Sequence, residues 1–411
     1  MNILIIHQYY LREGESGISR FNQFAKYWAK NNHKITVIAG TTHHLTGEVG
    51  REIYKGKIFK KEKSGKNIEI IRTYVSPNYN KNFFTRLIAY FTFFISSTFT
   101  ALFSGKQDII IATSPPLFVG ITGYVTSRLK RIPLIFEVRD IWPDFAIAVG
   151  VLKNKFLIKL SYSLEKFIYK KANLINVLSP AFLQILKKKK KVPESKIVYL
   201  PNGADFDLMS PGFKNNWVRK KYGWQSKFIV LYVGAHGLAN CLDLILGTAK
   251  ITKDYKDIIF VLIGDGMLKP KLVARAEKEN LKNVFFLDPV PKEEIGDYIN
   301  ASDVCTAVLK KVYRTTYPNK VFDYMACAKP IVLPIDGAVR ELVVDKAKAG
   351  IYAEPENAQE FKKAILKLYS NPNLAKFYGE NGYLYVKENF SRQKLAEEYE
   401  RIIKETLAKN K

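Results

Sequence analysis

The sequence predicts an α/β protein of two doubly wound domains, each a parallel sheet covered by helices on both faces. Three observations carry this. Short, apolar, β-branched runs alternate with longer helical patterns along nearly the whole chain. The alternation stops at a turn-rich stretch, 201–216, and then starts again. The length of 411 residues exceeds twice the ~150 residues of an ordinary domain.

The elements follow in order. Met1-Asn2 has no basic segment ahead of the short run Ile3-Leu4-Ile5-Ile6, so 2–7 is expected as a first strand and not as a signal peptide. Further strands are expected at 34–39, 68–74, 108–112, 133–138, 173–178 and 196–200. Runs such as PLIFEV are apolar on both faces, which is the mark of a sheet buried on both sides. Residues 201–216 (PNGADFDLMSPGFKNN) concentrate turn formers and mark a boundary. Strands resume at 227–233, 258–263, 283–287, 303–309, 330–334 and 350–353. From 357 onward three helical segments are expected, broken at Asn371-Pro372 and at 389–391, with Ser391 capping the last. The expected domains are thus 1–200, 201–390 and a final helix, 391–411.

Composition narrows the class. Hydrophobic residues make up 47% and aromatics 13%, enough for packed cores and too much for a disordered chain. Lys and Arg number 65 against 38 Asp and Glu, a formal +27 that calls for an acidic neighbour: nucleic acid, anionic lipid or a phosphorylated substrate. Cys241, Cys305 and Cys327 are too few for a disulfide framework and lack metal-ligand spacing, so a reducing, cytoplasmic setting is expected.

In doubly wound sheets ligands bind outside the carboxyl ends of the strands, and two such domains are expected to face each other across a cleft. Four constellations fall at such ends. The loop Gly14-Glu15-Ser16-Gly17 leads into a helix; it is either an anion-binding loop or ordinary helix punctuation. In Thr315-Thr316-Tyr317-Pro318-Asn319-Lys320-Val321-Phe322-Asp323, Pro318 suits a helix start, so Lys320 and Asp323 share a face. That is a phosphate site with a carboxylate for a ribose diol, or else a solvated pair on a surface helix. Glu137, Arg139 and Asp140 precede Trp142-Pro143 where a strand runs into charge, a catalytic edge or a stabilised turn. Gly234-Ala235-His236-Gly237 and Gly264-Asp265-Gly266 follow successive strands, and paired glycine turns let a nucleotide backbone pass closely. His236 is a binding candidate rather than a base. Two patterns are set aside: Asp205-Phe206-Asp207 resembles a metal-holding D-x-D but lies in the interdomain turn, and His43-His44 has no third ligand.

Residues 83–103 (FFTRLIAYFTFFISSTFTALF) approach the length of a membrane span, but Arg86 and six Ser or Thr argue against one. A buried helix and an interfacial helix both remain open. The second would place Phe91, Phe93 and Phe94 in lipid, helped by Lys55, Lys57, Lys60, Lys61, Lys63 and Lys66 and by the run Lys187 to Lys191.

Taken together, the glycine loop 14–17, Arg139-Asp140-Ile141-Trp142-Pro143, Pro201-Asn202-Gly203-Ala204-Asp205, the Gly-x-x-Gly at 234–237, Gly264-Asp265-Gly266 and Pro318-Asn319-Lys320 running into Phe322-Asp323-Tyr324-Met325-Ala326 resemble the retaining glycosyltransferases of family 4. The resemblance covers essentially the whole chain and is closest to the branch of bacterial O-antigen and capsule loci that includes N-acetyl-L-fucosamine transferases. It implies the GT-B fold, two Rossmann-like domains about a cleft, with the final helix packed back on the first. It also implies a UDP-sugar donor held by the second domain, a polyprenyl diphosphate-linked saccharide acceptor entering from the first, and no metal or cofactor. Asp140 and Lys320 become the catalytic candidates. Gly14, Gly17, Arg139, Gly234, His236, Gly237, Gly264, Gly266, Val290, Asn319 and Asp323 become the substrate-binding ones. The expected setting is the inner face of a cytoplasmic membrane, with an anionic surface as partner and no nucleic acid. The chain departs from the family where Thr315 and Asp323 stand in place of two glutamates, and where Leu238 to Asp243 lack the usual Arg and Lys. The competing classes are a GT-B sugar-nucleotide epimerase and a basic nucleic-acid-binding protein without a recognisable reader motif.

Overall fold

A computed structural model describes residues 1–12, 15, 17, 20–42, 58–77 and 83–410. The chain divides into two compact units. The first holds the N-terminal residues through Pro201 together with the tail from Gln393. The second holds Asn202–Arg392 and, from the loop after the first strand, Arg12, Glu15 and Gly17.

The first unit is an eight-stranded sheet in the order β3-β4-β2-β1-β5-β6-β7-β8. Its strands are β1 (Asn2–Ile6), β2 (Lys34–Gly40), β3 (Phe59–Lys63), β4 (Ile68–Thr73), β5 (Ile109–Ser114), β6 (Leu134–Val138), β7 (Leu174–Val177) and β8 (Ile197–Tyr199). All neighbours are parallel except β3 with β4. The second unit is a six-stranded parallel sheet, β11-β10-β9-β12-β13-β14. It is made of β9 (Phe228–Val233), β10 (Ile258–Ile263), β11 (Val284–Leu287), β12 (Val304–Thr306), β13 (Ile331–Leu333) and β14 (Gly350–Tyr352). Both sheets reverse direction of winding once, between β1 and β5 and between β9 and β12.

One strand escaped the sequence reading. β3, FKKEK, has no apolar alternation and is the only antiparallel member among the described residues; it lies at the edge, where lysines blunt an exposed row of backbone groups against further pairing. Lys60, Lys61 and Lys63 are therefore strand residues, with Lys61 on Glu69 at 3.1 Å.

The helices that matter below are α1 (Arg20–Lys30), α2 (Phe83–Leu102), α3 (Phe118–Lys130), α4 (Lys155–Lys171), α5 (Asn319–Ala326) and α6 (Arg392–Ala408). In β1 alternate residues feed opposite cores: Leu4 and Ile6 pack with α2, α3 and α4, while Ile3 and Ile5 pack with α1 and α6. Tyr399 of α6 is buried among Phe21, Phe24 and Trp28, with ring centroids 6.2, 5.8 and 5.6 Å away, and the Trp28 indole donates to Ala396 O at 2.9 Å. The last two breaks of the tail fall where turn chemistry put them, the preceding helices being Ala358–Tyr369 and Pro372–Asn389.

α2 buries Ala89, Phe93, Ser97 and Ala101, one stripe at four-residue spacing, so Phe93 is a core residue and not a lipid-facing one. Its Ser and Thr hydroxyls are spent locally: Thr98 on Phe94 O, Thr100 on Ser96 O, Ser97 on Thr122. No described helix is long and apolar enough to cross a membrane.

Tyr399→Ala is expected to cost about 3 kcal/mol or more, because it opens a cavity among three aromatic rings. A urea titration followed by tryptophan fluorescence checks this. An unshifted midpoint would remove α6 from the core of the first unit.

Candidate functional site

In the second unit the switch point lies between β9 and β12, and all six strands end on one edge. The loop after β9 begins with Gly234, and α5 follows the loop after β12. Pro318 opens α5 and, having no side-chain acceptor, leaves the first N–H groups of the helix uncapped. Lys320 sits in that first turn. Its ammonium lies 3.7 Å from the centroid of the Tyr232 ring, a cation held over the face of a buried aromatic. A Cβ at Gly234 would fall 2.6 Å from Lys320 Nζ, and Gly234 has φ +144°, so glycine here leaves the space that the lysine head occupies. Burial pushes the Lys320 ammonium down to about 7. Among the described residues no carboxylate pairs with it.

Asp323, one turn further on, does not meet Lys320. It is buried, and its Oδ2 pairs with Lys292 Nζ at 2.8 Å. The solvated Lys320–Asp323 pair is replaced, since the partner is Lys292, while Asp323 Oδ1 remains buried with no hydrogen bond. Asn319 Oδ1 is in the same condition.

His236 is fully buried, between Tyr232 and Phe286, each 6.1 Å away by ring centroid. Burial first, then the positive charges of Lys269 and Lys320, lower its pKa to about 4. The ring is neutral at physiological pH, and neither nitrogen has a hydrogen-bond partner among the described residues. Its backbone is fixed by N–H donation to Asp265 O at 2.8 Å and by acceptance from Leu268 N–H at 2.9 Å. Gly266 is needed for that approach, since a Cβ there would lie 2.7 Å from His236 O, and Gly264 meets Gly234 O in the same way. These two glycines thus pack one loop on the other. A Cβ at Gly237 would meet Asn240 Nδ2 at an ordinary 3.7 Å. Val290 is half-buried in the loop after β11, on the same edge.

In the first unit the loops after β1 and β6 meet. Arg139 Nη1 donates to His7 Nε2 at 3.1 Å; since a guanidinium only donates, Nε2 accepts and the neutral ring carries its proton on Nδ1. Burial pushes the Asp140 carboxyl up to about 6, with Arg139 pulling the other way. Glu137 has a different task. It is wholly buried, accepts from Asn176 Nδ2 at 3.0 Å and lies 3.4 Å from Arg20 Nε, while Arg20 also donates to Leu200 O at 3.0 Å. It ties β6, β7 and α1 together. Gly17 has φ +143°, and Gly14 lies outside the described residues, as do His43 and His44.

The D-x-D pattern forms a turn: Asp205 Oδ1 accepts from Asp207 N–H at 3.2 Å. Among the described residues no group of three His, Cys, Asp or Glu is placed to hold a metal. Sequence reasoning missed Tyr232, whose alternation in β9 reads as core, and Lys292 and Lys269. The last two could have been found as cations just beyond strand ends. Lys269 is neutralised by Asp288 at 2.7 Å.

Comparison with known proteins places this geometry. Residues 19–208 match the model described as Glycosyltransferase Family 4, and residues 215–385 match Glycosyl transferases group 1. An uncharacterized glycosyltransferase of Methanocaldococcus jannaschii is 26% identical over 342 residues, covering 81% of each chain. The putative colanic acid biosynthesis glycosyl transferase WcaI of Escherichia coli K12 is 21% identical over 92% of this chain and 95% of its own. Anabaena HepE in complex with UDP-glucose superposes with a TM-score of 0.72 at 16% identity, covering 100% of both chains. With two Rossmann-like units and both matched domains in sequence along it, the chain belongs to the GT-B glycosyltransferases, a family 4 domain joined to a group 1 domain.

Proposed function

We propose that the enzyme transfers a sugar, with retention at the anomeric carbon, from a UDP-sugar to a saccharide carried on a polyprenyl diphosphate, at the inner face of a bacterial membrane, in the manner of O-antigen and capsule synthesis. The observation that carries this is the Lys320 ammonium: half-buried, without a carboxylate partner among the described residues, and set in the first turn of an uncapped helix. Such a site is completed by an anion. HepE is a structural neighbour whose complex contains UDP-glucose, and WcaI is a relative named as a putative colanic acid biosynthesis glycosyl transferase, which supports the donor and the pathway class.

In the reaction the bond from the anomeric carbon to the β-phosphate oxygen breaks and a bond to the acceptor oxygen forms. Charge grows on the leaving diphosphate, where Lys320 and the dipole of α5 stabilise it. The acceptor hydroxyl gives its proton to a leaving phosphate oxygen, while ionised Asp140 accepts a hydrogen bond from that hydroxyl and orients it. Asn319 Oδ1 and Asp323 Oδ1, both lacking partners, suit the donor's ribose or sugar hydroxyls. No metal takes part.

Lys320→Ala is expected to slow transfer more than tenfold and weaken UDP binding in calorimetry, a charge-assisted contact being worth about 1.5–3 kcal/mol. Gly234→Ala should do the same by displacing the ammonium. Unchanged kinetics in both would sink the phosphate role.

The pH profile follows from the two shifted groups. Asp140 is active ionised, and with its pKa raised to about 6 the rate should climb as pH rises through 6. Lys320 is active protonated, and with its pKa lowered to about 7 the rate of the free enzyme should fall as pH passes above 7. The profile of kcat/KM is therefore a narrow bell. Asp140→Asn should lose activity and its acid limb, and Lys320→Arg should keep activity while its alkaline limb moves out. Limbs that stay in place in both variants would assign them elsewhere.

Transfer should persist in EDTA. Loss on chelation, restored by manganese, would make the diphosphate a metal ligand. A donor screen with membrane lipid extract, read by product mass, tests the whole reaction, and turnover of UDP-sugar without acceptor would select the epimerase instead.

A further inference from the structure

Resting on the peripheral placement proposed above, we infer that one face of the first unit, formed by α2, α3 and α4 together, is the surface that docks on an anionic bilayer. The three helices share the Leu4/Ile6 side of the sheet: α2 contributes Phe93, α3 Val119, and α4 Ile168 and Tyr169 to one core. They are stitched laterally, Ser97 on Thr122 at 3.1 Å and the Tyr124 ring edge-on to Phe167 at 5.0 Å.

α2 and α4 each leave an apolar stripe outward. On α2 and its end, Phe84, Ile88, Phe91, Ile95, Phe99 and Phe103 are all exposed, at spacings of three or four that keep them in one stripe; Phe84 is 67% and Phe99 62% exposed. α4 continues the surface with Phe156, 73% exposed, Leu160 and Phe167, again on one side. A soluble surface scatters such residues singly, and a contiguous run of aromatics marks an interaction face.

Charge selects the occupant. α2, α3 and α4 carry eight Lys or Arg and a single acid, Glu165. Glu165 is buried and already paired with Lys190 at 2.9 Å. Lys155, Lys159, Lys166 and Lys170 run beside the Phe156–Phe167 side of α4, all exposed. Lysines flanking inserted aromatics fit the boundary between acyl chains and anionic headgroups. A second copy of this face would set eight cations against eight, which disfavours self-association. The lysine run at 187–191 is a weaker contributor than the sequence suggests, because Lys190 is pinned inside by Glu165 and Asp144, and Lys187 is paired with Glu194.

Co-sedimentation with vesicles of phosphatidylcholine, alone or mixed with phosphatidylglycerol, tests this. Wild type should pellet with the anionic mixture and little with the neutral one. Phe84, Phe91 and Phe99 to Ser should lower the partition at least tenfold. Lys159, Lys166 and Lys170 to Glu should lower it roughly a hundredfold or more, as follows from about 1 kcal/mol per basic residue, and high salt should mimic this second set. Phe93→Ser is the wrong test, since it would damage the core. Equal pelleting of wild type and both variant sets overturns the docking face, as does a wild-type dimer in sedimentation velocity that the Phe variants dissociate. UDP calorimetry on the same proteins separates the two proposals. Variants that leave vesicles but bind UDP normally support the face and preserve the donor site, whereas wild type that pellets on anionic vesicles but ignores UDP sinks only the donor reading.

Discussion

The functional edge of the second unit depends on one arrangement: an ammonium held over an aromatic face in a space that glycine leaves empty. Lys320 lies 3.7 Å from the Tyr232 centroid because Gly234 has no side chain to exclude it. The ring compensates part of the desolvation without neutralising the charge, since a quadrupole attracts a cation but carries no net charge. The result is a cation whose proton is loosely held in the free protein, and any anion that binds restores its ordinary basicity. Anion binding and protonation of Lys320 are thereby linked, and each must strengthen the other.

The same logic of strand ends serves the first unit with different chemistry. There the loops after β1 and β6 bring a neutral histidine, an arginine and a carboxyl with a raised pKa together, and no lysine. Arg139 is itself held low by burial, so its charge is poorly solvated, and it spends one N–H on His7. A carboxylate next to such a cation is favoured in its ionised form, yet burial outweighs the attraction. Asp140 is left near the midpoint of its titration at mildly acidic pH.

Much of the fold was legible in sequence because the strands of a doubly wound sheet are apolar on both faces and need no alternation to be seen. β3 was not, because an edge strand is built from what keeps other strands away. In the candidate site the glycines, proline and lysine at strand ends were legible as local geometry. It was illegible where the deciding fact was a partner across sequence. Asp323 and Lys292 are 31 residues apart and Arg20 and Glu137 more than a hundred, and no spacing announces either pair. Gly264 and Gly266 signalled close approach correctly as a physical need, but the approaching backbone is the protein's own. In α2 composition alone showed an apolar helix; only the register of Ala89, Phe93, Ser97 and Ala101 shows which side is core and which is left for something else.

Charge pairing on the second unit's edge explains how the departures from the family pattern can be absorbed. Lys269 is matched by Asp288, and Lys292 by Asp323. Each pair is locally neutral, so neither offers net attraction to an anion. Lys320 has no acid partner among the described residues and stands at the start of a helix whose dipole adds to its charge. A basic residue placed in the loop after Gly237, where the resemblance leads one to expect two, would lie near a histidine that is already kept neutral by burial first and by nearby positive charge second. Leu238 to Asp243 hold no Arg or Lys, and His236 beside them is buried and uncharged.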